Sequence, residues 1–369
     1  MFTADRPHEL RTRSSPLDQL RATKRMLILL SGIFDLGVVG PAVRALTRAP
    51  RSESVTIDGV PVEFVTPAGR GPRPAFVFVN GAHPLRRREP IVQQVADGLG
   101  RAGFVVVVPD LPGLGEGELT PRTLEAAIRV VEWTARRDEV AGGRVALCGV
   151  SAGASVALLL AEQPELSDSI AMVASVCPFA DLEKLICLAT TRCYGDAGEA
   201  GTYDAAILLR RVVARSLLVT LPESAERTEL LDRVGDVLRD DQDPLEGLHG
   251  LDVEPLGPDA RAIVRLLTNE DPQRFRELYD ALPASAGSLA ATLSPLPGAP
   301  GVRARVELVV PPLDPYFPPG ETESLAAALP NARLTVTGVL DHTRPTMSLA
   351  NVPDLGRFCG FVLRGLASP

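Results

Sequence analysis

Histidine and cysteine are scarce in this chain of 369 residues, which has four of the first and five of the second. The cysteines stand at 148, 177, 187, 193 and 359. Their number is odd and no C-x-x-C occurs, so neither a disulfide framework nor a zinc ribbon is written into the chain. The histidines, at 8, 83, 249 and 342, are too far apart to chelate a metal from one helix. No metal and no cofactor are expected. With 1 Trp, 4 Tyr and 11 Phe, a stacking surface for bases is excluded as well. Basic residues are outnumbered 38 to 46, for a net charge of −8, and a nucleic-acid partner calls for the opposite balance. Long apolar runs are missing too. The longest near the amino terminus reaches only from Met26 to Phe34, well short of the ~20 residues of a spanning helix. Asp35 follows it, and would cost about 2.5–3.5 kcal/mol in mid-bilayer. What remains is ordinary globular material, 45% hydrophobic and 23% charged.

Residues 1–50 read as a helical leader. Arg11, Arg13, Arg21, Lys24 and Arg25 precede the Met26–Phe34 run, and a second uncharged run, Leu36 to Val43, ends at Arg44. The favoured reading is a pair of helices docked on the globular body, in a cytoplasmic protein. Peripheral membrane contact through residues 20–45 and a signal peptide ending near Ala45 stand beside it.

From residue 53 the pattern alternates between strand and helix. Ser54–Ile57 and Val62–Val65 flank Asp58-Gly59 as a hairpin. Strands follow at Ala75–Val79, Phe104–Pro109, Arg144–Gly149 and Ile170–Val176, with helices between them over Pro90–Arg101, from Thr120-Pro121 to about Arg137, and to about Glu162. Uninterrupted β-branched strands of this kind suit a parallel sheet covered on both faces. The fold class expected is α/β, a mostly parallel sheet flanked by helices. Residues 51–181 form its first part. Residues 182–300 show helical patterns only (Ala205–Ala214, Glu226–Leu238, Pro258–Leu267, Pro272–Leu282) and read as a helical cap inserted between two strands. Pro295–Pro300 is the return linker. Residues 301–369 complete the core with strands Val306–Val310 and Arg333–Thr337 and helices Glu321–Leu329 and Val352–Leu366.

The most specific local signal is Gly149-Val150-Ser151-Ala152-Gly153, a G-x-S-x-G between strand and helix. Gly149 and Gly153 let a sharp turn pass close to its neighbours, Ser151 projects as nucleophile, and the Ala152 amide at the helix start faces a developing oxyanion. A serine hydroxyl needs a base held by a third group. His342, after the last strand, is the histidine placed for it. His8 lies in the leader, His249 in the insertion and His83 beside the loop after Ala75–Val79. The acid should precede the histidine, and Asp314 in Pro311-Pro312-Leu313-Asp314-Pro315 follows the strand Val306–Val310. Asp181 competes for this role, and Asp341 is adjacent to the histidine. Asn80-Gly81-Ala82 follows the strand Ala75–Val79, where Gly81 permits a positive φ that turns the next amide inward, and Ala82 N–H is the second oxyanion donor.

With strand, elbow, acid and histidine in this order, the chain resembles the α/β-hydrolase superfamily over about residues 53–181 and 301–366. Asp110-Leu-Pro-Gly-Leu-Gly-Glu-Gly117 is similar to the family's D-x-x-G-x-G turn. Asn80-Gly81 departs from the His-Gly found in many members. The resemblance implies acyl transfer on an ester-like small molecule, with thioesterase, acyltransferase and then peptidase as alternatives. Its serine argues against dehalogenase or epoxide hydrolase chemistry, for which the family uses Asp. A non-catalytic binding protein on the same fold is the alternative of another class. Two weaker features remain. Gly113, Gly115 and Gly117 lack the G-x-G-x-x-G spacing of a phosphate loop. Arg86-Arg87-Arg88 reads as a solvated basic face, with attraction of an anionic substrate as the sharper alternative.

Overall fold

The computed structural model describes residues 16–34, 37–194, 201–237, 242–346 and 351–367. An eight-stranded sheet is built from β1 (Arg51–Ile57), β2 (Val60–Thr66), β3 (Arg73–Val79), β4 (Val105–Pro109), β5 (Val140–Val150), β6 (Ile170–Val176), β7 (Arg305–Val310) and β8 (Ala332–Val336). The order is β1-β2-β4-β3-β5-β6-β7-β8. β2 is antiparallel to both neighbours, and every other pair beyond β1 is parallel. The β1–β2 hairpin turns on Asp58 (φ 46°) and Gly59 (φ 82°), the two positive φ values of a tight primed turn.

Strand periodicity divides the apolar residues between two cores. In β3, Ala75, Val77 and Val79 face one cluster while Phe76 and Phe78 face the other. In β4, Val105 and Val107 are set against Val106 and Val108 in the same way. On one side lie α3 (Pro90–Arg101), α13 (Val352–Ala367) and the amino-terminal α1 (Pro16–Ile33), whose Met26, Leu29 and Leu30 join Leu99, Phe358 and Phe361. A short α2 (Val39–Leu46) packs beside α1. Within the described residues, α1 itself packs on α3 and α13. Among the described residues no helix is long and apolar enough to cross a membrane. His8 and Asp35 lie outside the described residues.

The other side carries α4 (Pro121–Ala135), α5 (Ala152–Glu162) and α12 (Pro319–Ala328). Between β6 and β7 come α6 (Leu182–Thr191), α7 (Ile207–Leu218), α8 (Ala225–Val234), α9 (Pro258–Leu267), α10 (Pro272–Asp280) and α11 (Ala284–Leu293). Their buried residues, among them Leu185, Leu217, Ile263 and Leu289, belong to the same cluster as Val130 and Leu158 of α4 and α5.

The insertion differs from its sequence reading in four ways. α6 and α11 are helices that the sequence pattern does not predict. α7 starts two residues later than expected and runs on to Leu218. α8 ends at Val234, and Leu238 is outside the described residues. A two-residue ladder pairs Cys193–Tyr194 with Gly201–Thr202. The return linker contains one 3-10 turn, Ala299–Gly301. Trp133 meets Phe64 edge-on at 5.7 Å and carries Arg137 on its face.

Candidate active site

The turn after β5 is as compressed as its sequence requires. A Cβ on Gly149 would stand 2.3 Å from the Gly153 carbonyl oxygen. A Cβ on Gly153 would stand 2.3 Å from those of Val79 and Asn80. Between them Ser151 adopts φ 54° and ψ −129°, a conformation costing a non-glycine residue about 1–3 kcal/mol. Its amide donates to Val176 O at 2.9 Å, and its carbonyl accepts from Ala154 N at 2.8 Å. The strained serine is therefore bonded on both sides, at the carboxyl edge of the sheet, with Ala152 opening α5.

The facing loop is held by Asn80. Its Oδ1 accepts from Gly81 N at 2.9 Å, and its Nδ2 donates to Arg86 O and Glu89 Oε2 at 3.1 and 3.2 Å. The side chain that replaces the usual histidine thus makes the local bonds that fix the turn. Gly81 does not take the expected positive φ; contact is what requires it, because a Cβ there would lie 3.0 Å from Ser151 Cβ. Among the described residues no hydrogen bond engages the Ala82 or the Ala152 amide.

Arg86 and Arg87 correct the solvated-face reading. Arg87 is largely buried, its guanidinium bonded to Asp110 and its amide donating to the same carboxylate at 2.9 Å. Arg86 pairs with Glu116. Only Arg88 of the three is exposed. Asp110 and Glu116 belong to the glycine-rich turn after β4, so the two arginines clamp that turn to the loop beside Ser151. Its Gly113 and Gly117 have φ 85° and 72°, and a Cβ on Gly115 would collide with Arg86. These glycines serve packing.

His342 sits at φ 50° in a small ribbon whose strands are Leu340–Asp341 and Arg344–Pro345. Its Nδ1 lies 2.8 Å from Asp314 Oδ2. Asp314 is 2% exposed, and its Oδ1 accepts from the amides of Tyr316 and Phe317 at 2.8 and 3.0 Å. Burial works against ionising this carboxyl, yet the bond to His342, the imidazole's charge and the two amides outweigh it and hold the acid below the usual range. The Tyr316 ring covers the imidazole at 4.3 Å and Phe317 meets it edge-on at 5.5 Å. His342 Nε2 is buried and makes no hydrogen bond among the described residues.

The competing carboxylates are engaged elsewhere. Asp181 caps α6, accepting from the Glu183 and Lys184 amides at 2.9 and 3.4 Å. Asp341 is exposed at the rim. His249 lies 3.9 Å from Glu270 at the surface. His83 is on the pocket wall near Glu89, at 3.7 Å.

Three further residues join the site without any local sequence signal. Cys177, itself at φ 52°, donates its thiol to His342 O at 3.1 Å. Burial, with the Asp314 carboxylate beside it, pushes that thiol well above its ordinary range and keeps it a neutral donor. The Tyr203 hydroxyl donates to Asp314 O, and Ala206 N donates to Pro315 O at 3.0 Å. The helical insertion is thereby tied to the acid loop.

Ser151, Ala152, Ala82, Gly81, Asn80 and His342 share one pocket of about 520 Å³. Leu208, Leu209 and Val212 of α7 and Val237 supply an apolar wall, Tyr316 and Phe317 another.

A family described as X-Pro dipeptidyl-peptidase (S15 family) matches residues 58–222. That stretch includes the elbow, covers less than half of the chain and stops before Asp314 and His342. No curated protein sequence matches significantly. Among solved structures, dipeptidyl peptidase 4 of Porphyromonas gingivalis aligns over 89% of this chain and 37% of that one, at 11% identity and a TM-score of 0.50. A 2,6-dihydroxy-pseudo-oxynicotine hydrolase aligns over 89% and 72%, at 15% identity and 0.48. The enol-lactonase of Burkholderia xenovorans aligns over 85% and 99%, at 16% identity and 0.41. At these identities the likeness concerns the fold. With strand order β1-β2-β4-β3-β5-β6-β7-β8 and a strand–serine–helix elbow at the carboxyl edge, the chain has the α/β-hydrolase fold.

Proposed function

We propose that the protein is a serine hydrolase acting on a small carboxylic ester, with Ser151 as nucleophile, His342 as general base and acid, and Asp314 as its orienting carboxylate. The observation that carries this reading is the buried imidazole. Its Nδ1 is held by an ionised Asp314, while its Nε2 has no hydrogen-bond partner among the described residues, in the pocket that also holds a strained serine. With Nδ1 carrying the proton toward Asp314, Nε2 is free to accept the Ser151 proton as Oγ attacks a carbonyl. The amides of Ala82 and Ala152 would receive the oxyanion. Protonation of the leaving group by His342 frees the alcohol, and water activated by the same nitrogen releases the acid. Residues 182–300 act as a cap whose α7 forms the apolar wall for the acyl group.

Reaction with a fluorophosphonate probe tests this reading. Wild-type protein labels, while Ser151→Ala and His342→Ala variants of unchanged melting temperature do not. Labelling that persists in Ser151→Ala would overturn the assignment. The family match favours one second reading, a peptidase. An Ala-Pro-p-nitroanilide separates the two: under the ester reading a p-nitrophenyl ester is hydrolysed and the anilide is not, whereas under the other the anilide releases p-nitroaniline with turnover that Ser151→Ala abolishes.

A further inference from the structure

The amino-terminal helices leave a surface that the hydrolase reading does not use. Leu20, Lys24 and Leu27 fall on one stripe of α1, spaced as i, i+4 and i+7. Leu20 is 66% and Leu27 58% exposed. The next residue of that stripe, Ser31, is buried beneath α2, where a Cβ on Gly40 would stand 2.9 Å from its carbonyl oxygen. α2 therefore lies on the same side of the molecule as the stripe. Its inward residues are Gly40 and Val43, and outward it presents Val39, Ala42 and Leu46, with Val38 just before it. Val38 is 84% and Leu46 87% exposed. Isolated exposed leucines are ordinary, but a contiguous group is not.

Charge selects the occupant. The protein carries −8 overall, yet residues 19 to 50 hold a single acidic residue, Asp35, which lies outside the described residues. They include Arg21, Lys24, Arg25, Arg44 and Arg48. The nearest acid on the underlying helix, Asp97, is paired with Arg101, which also binds the carbonyls of Arg44 and Thr47 at the end of α2. Apolar side chains flanked by an excess of cations match the headgroup and upper acyl region of an anionic bilayer.

We propose that the α1–α2 face docks the protein peripherally on anionic membrane surfaces. Leu20, Leu27, Val38 and Leu46 enter the interface, and Lys24, Arg44 and Arg48 meet the headgroups. Nothing spans the bilayer. Attachment is reversible and depends on lipid charge and salt.

Co-sedimentation of the full chain with vesicles tests this. The protein should pellet with vesicles of phosphatidylcholine containing about one-third phosphatidylserine, remain in solution with phosphatidylcholine alone, and be released by raised salt. Replacing Lys24, Arg44 and Arg48 by Ala should weaken binding about fivefold per residue. The Leu20→Glu/Leu27→Glu/Leu46→Glu variant should lose binding while hydrolysing a soluble ester at the wild-type rate, which shows that the fold is intact. Failure of the wild type to pellet with either vesicle would overturn the proposal. So would equal binding to both, or full binding by the Glu variant. A wild type that is dimeric without lipid and monomeric in the Glu variant would also overturn it, by assigning the face to a second copy of the chain.

Discussion

Replacing Asp314 by Asn tests the site through proton placement, because the loop dictates how the new amide must sit. Oδ1 of Asp314 accepts from two backbone amides and Oδ2 faces His342 Nδ1 at 2.8 Å. In the Asp314→Asn variant the amide oxygen keeps the Tyr316 and Phe317 donors. The reverse orientation would set an NH2 group against two N–H groups and leave both amides unsatisfied in a buried place, at about 1–3 kcal/mol each. The NH2 group therefore turns toward the imidazole. It can only donate, so Nδ1 must accept and the ring proton moves to Nε2. An Nε2 that already bears a proton cannot take one from Ser151. The loss expected in kcat is about 10⁴-fold, roughly 5.4 kcal/mol at 1.36 kcal/mol per tenfold. Single-turnover release of p-nitrophenol from p-nitrophenyl acetate reads this step, with the rate of fluorophosphonate labelling as a second measure. An Asp314→Asn protein that melts like wild type and acylates within tenfold of it would refute the argument, and Asp314 as the acid with it.

Three other outcomes follow from the same contacts. Gly153→Ala places a methyl on the carbonyls of Val79 and Asn80 and should cost about 2–3 kcal/mol, seen as a lower denaturant midpoint and lost labelling. Cys177→Ala removes the thiol donor to the His342 carbonyl and should lower kcat about tenfold with KM unchanged, since a neutral hydrogen bond is worth about 0.5–1.5 kcal/mol; unchanged kcat would deny it a positioning role. Glu162, at the end of α5 against the Ala299–Gly301 turn, is pushed by burial from 4.5 to about 8. Its folded-state value is raised, so its stabilising contribution is full below 4.5 and is lost as pH rises toward 8. The shift bounds the effect at roughly 5 kcal/mol, and its partial exposure reduces this to about 2 kcal/mol. Glu162→Gln should flatten the fall in melting temperature between those pH values.

The parts legible in the sequence are those with local causes. β4 reads as a continuous run because both of its faces are covered, the β1–β2 turn is written as Asp58-Gly59, and the elbow needs glycines within five residues of each other. Helices α6 and α11 lack such a cause. α6 is buried nearly all round and ends in Thr190 and Thr191, so no polar face reveals its period, and its cap, Asp181, looks like a catalytic acid. α11, ASAGSLAATL, holds only small residues between its leucines. Tyr203 and Cys177 reach the site across 111 and 165 residues of chain, and only tertiary packing brings them there. Arg87 shows the reverse error: a run of three arginines looks like surface until Asp110 is folded beside it.

The bonds from Tyr203 and Ala206 to Asp314 and Pro315 bear on how substrate preference changes over time in such a protein. The segment that shapes the apolar wall of the pocket is also the one that holds the Asp314 loop. Its residues are therefore not exchangeable as a block: grafting a foreign stretch over 182–300 would remove the hydroxyl that holds the Asp314 backbone, and the new wall would arrive with a slackened base. Within α7 the positions open to change without disturbing that tie are those that look into the cavity, Leu208, Leu209 and Val212. The start of the helix stays answerable to the chemistry.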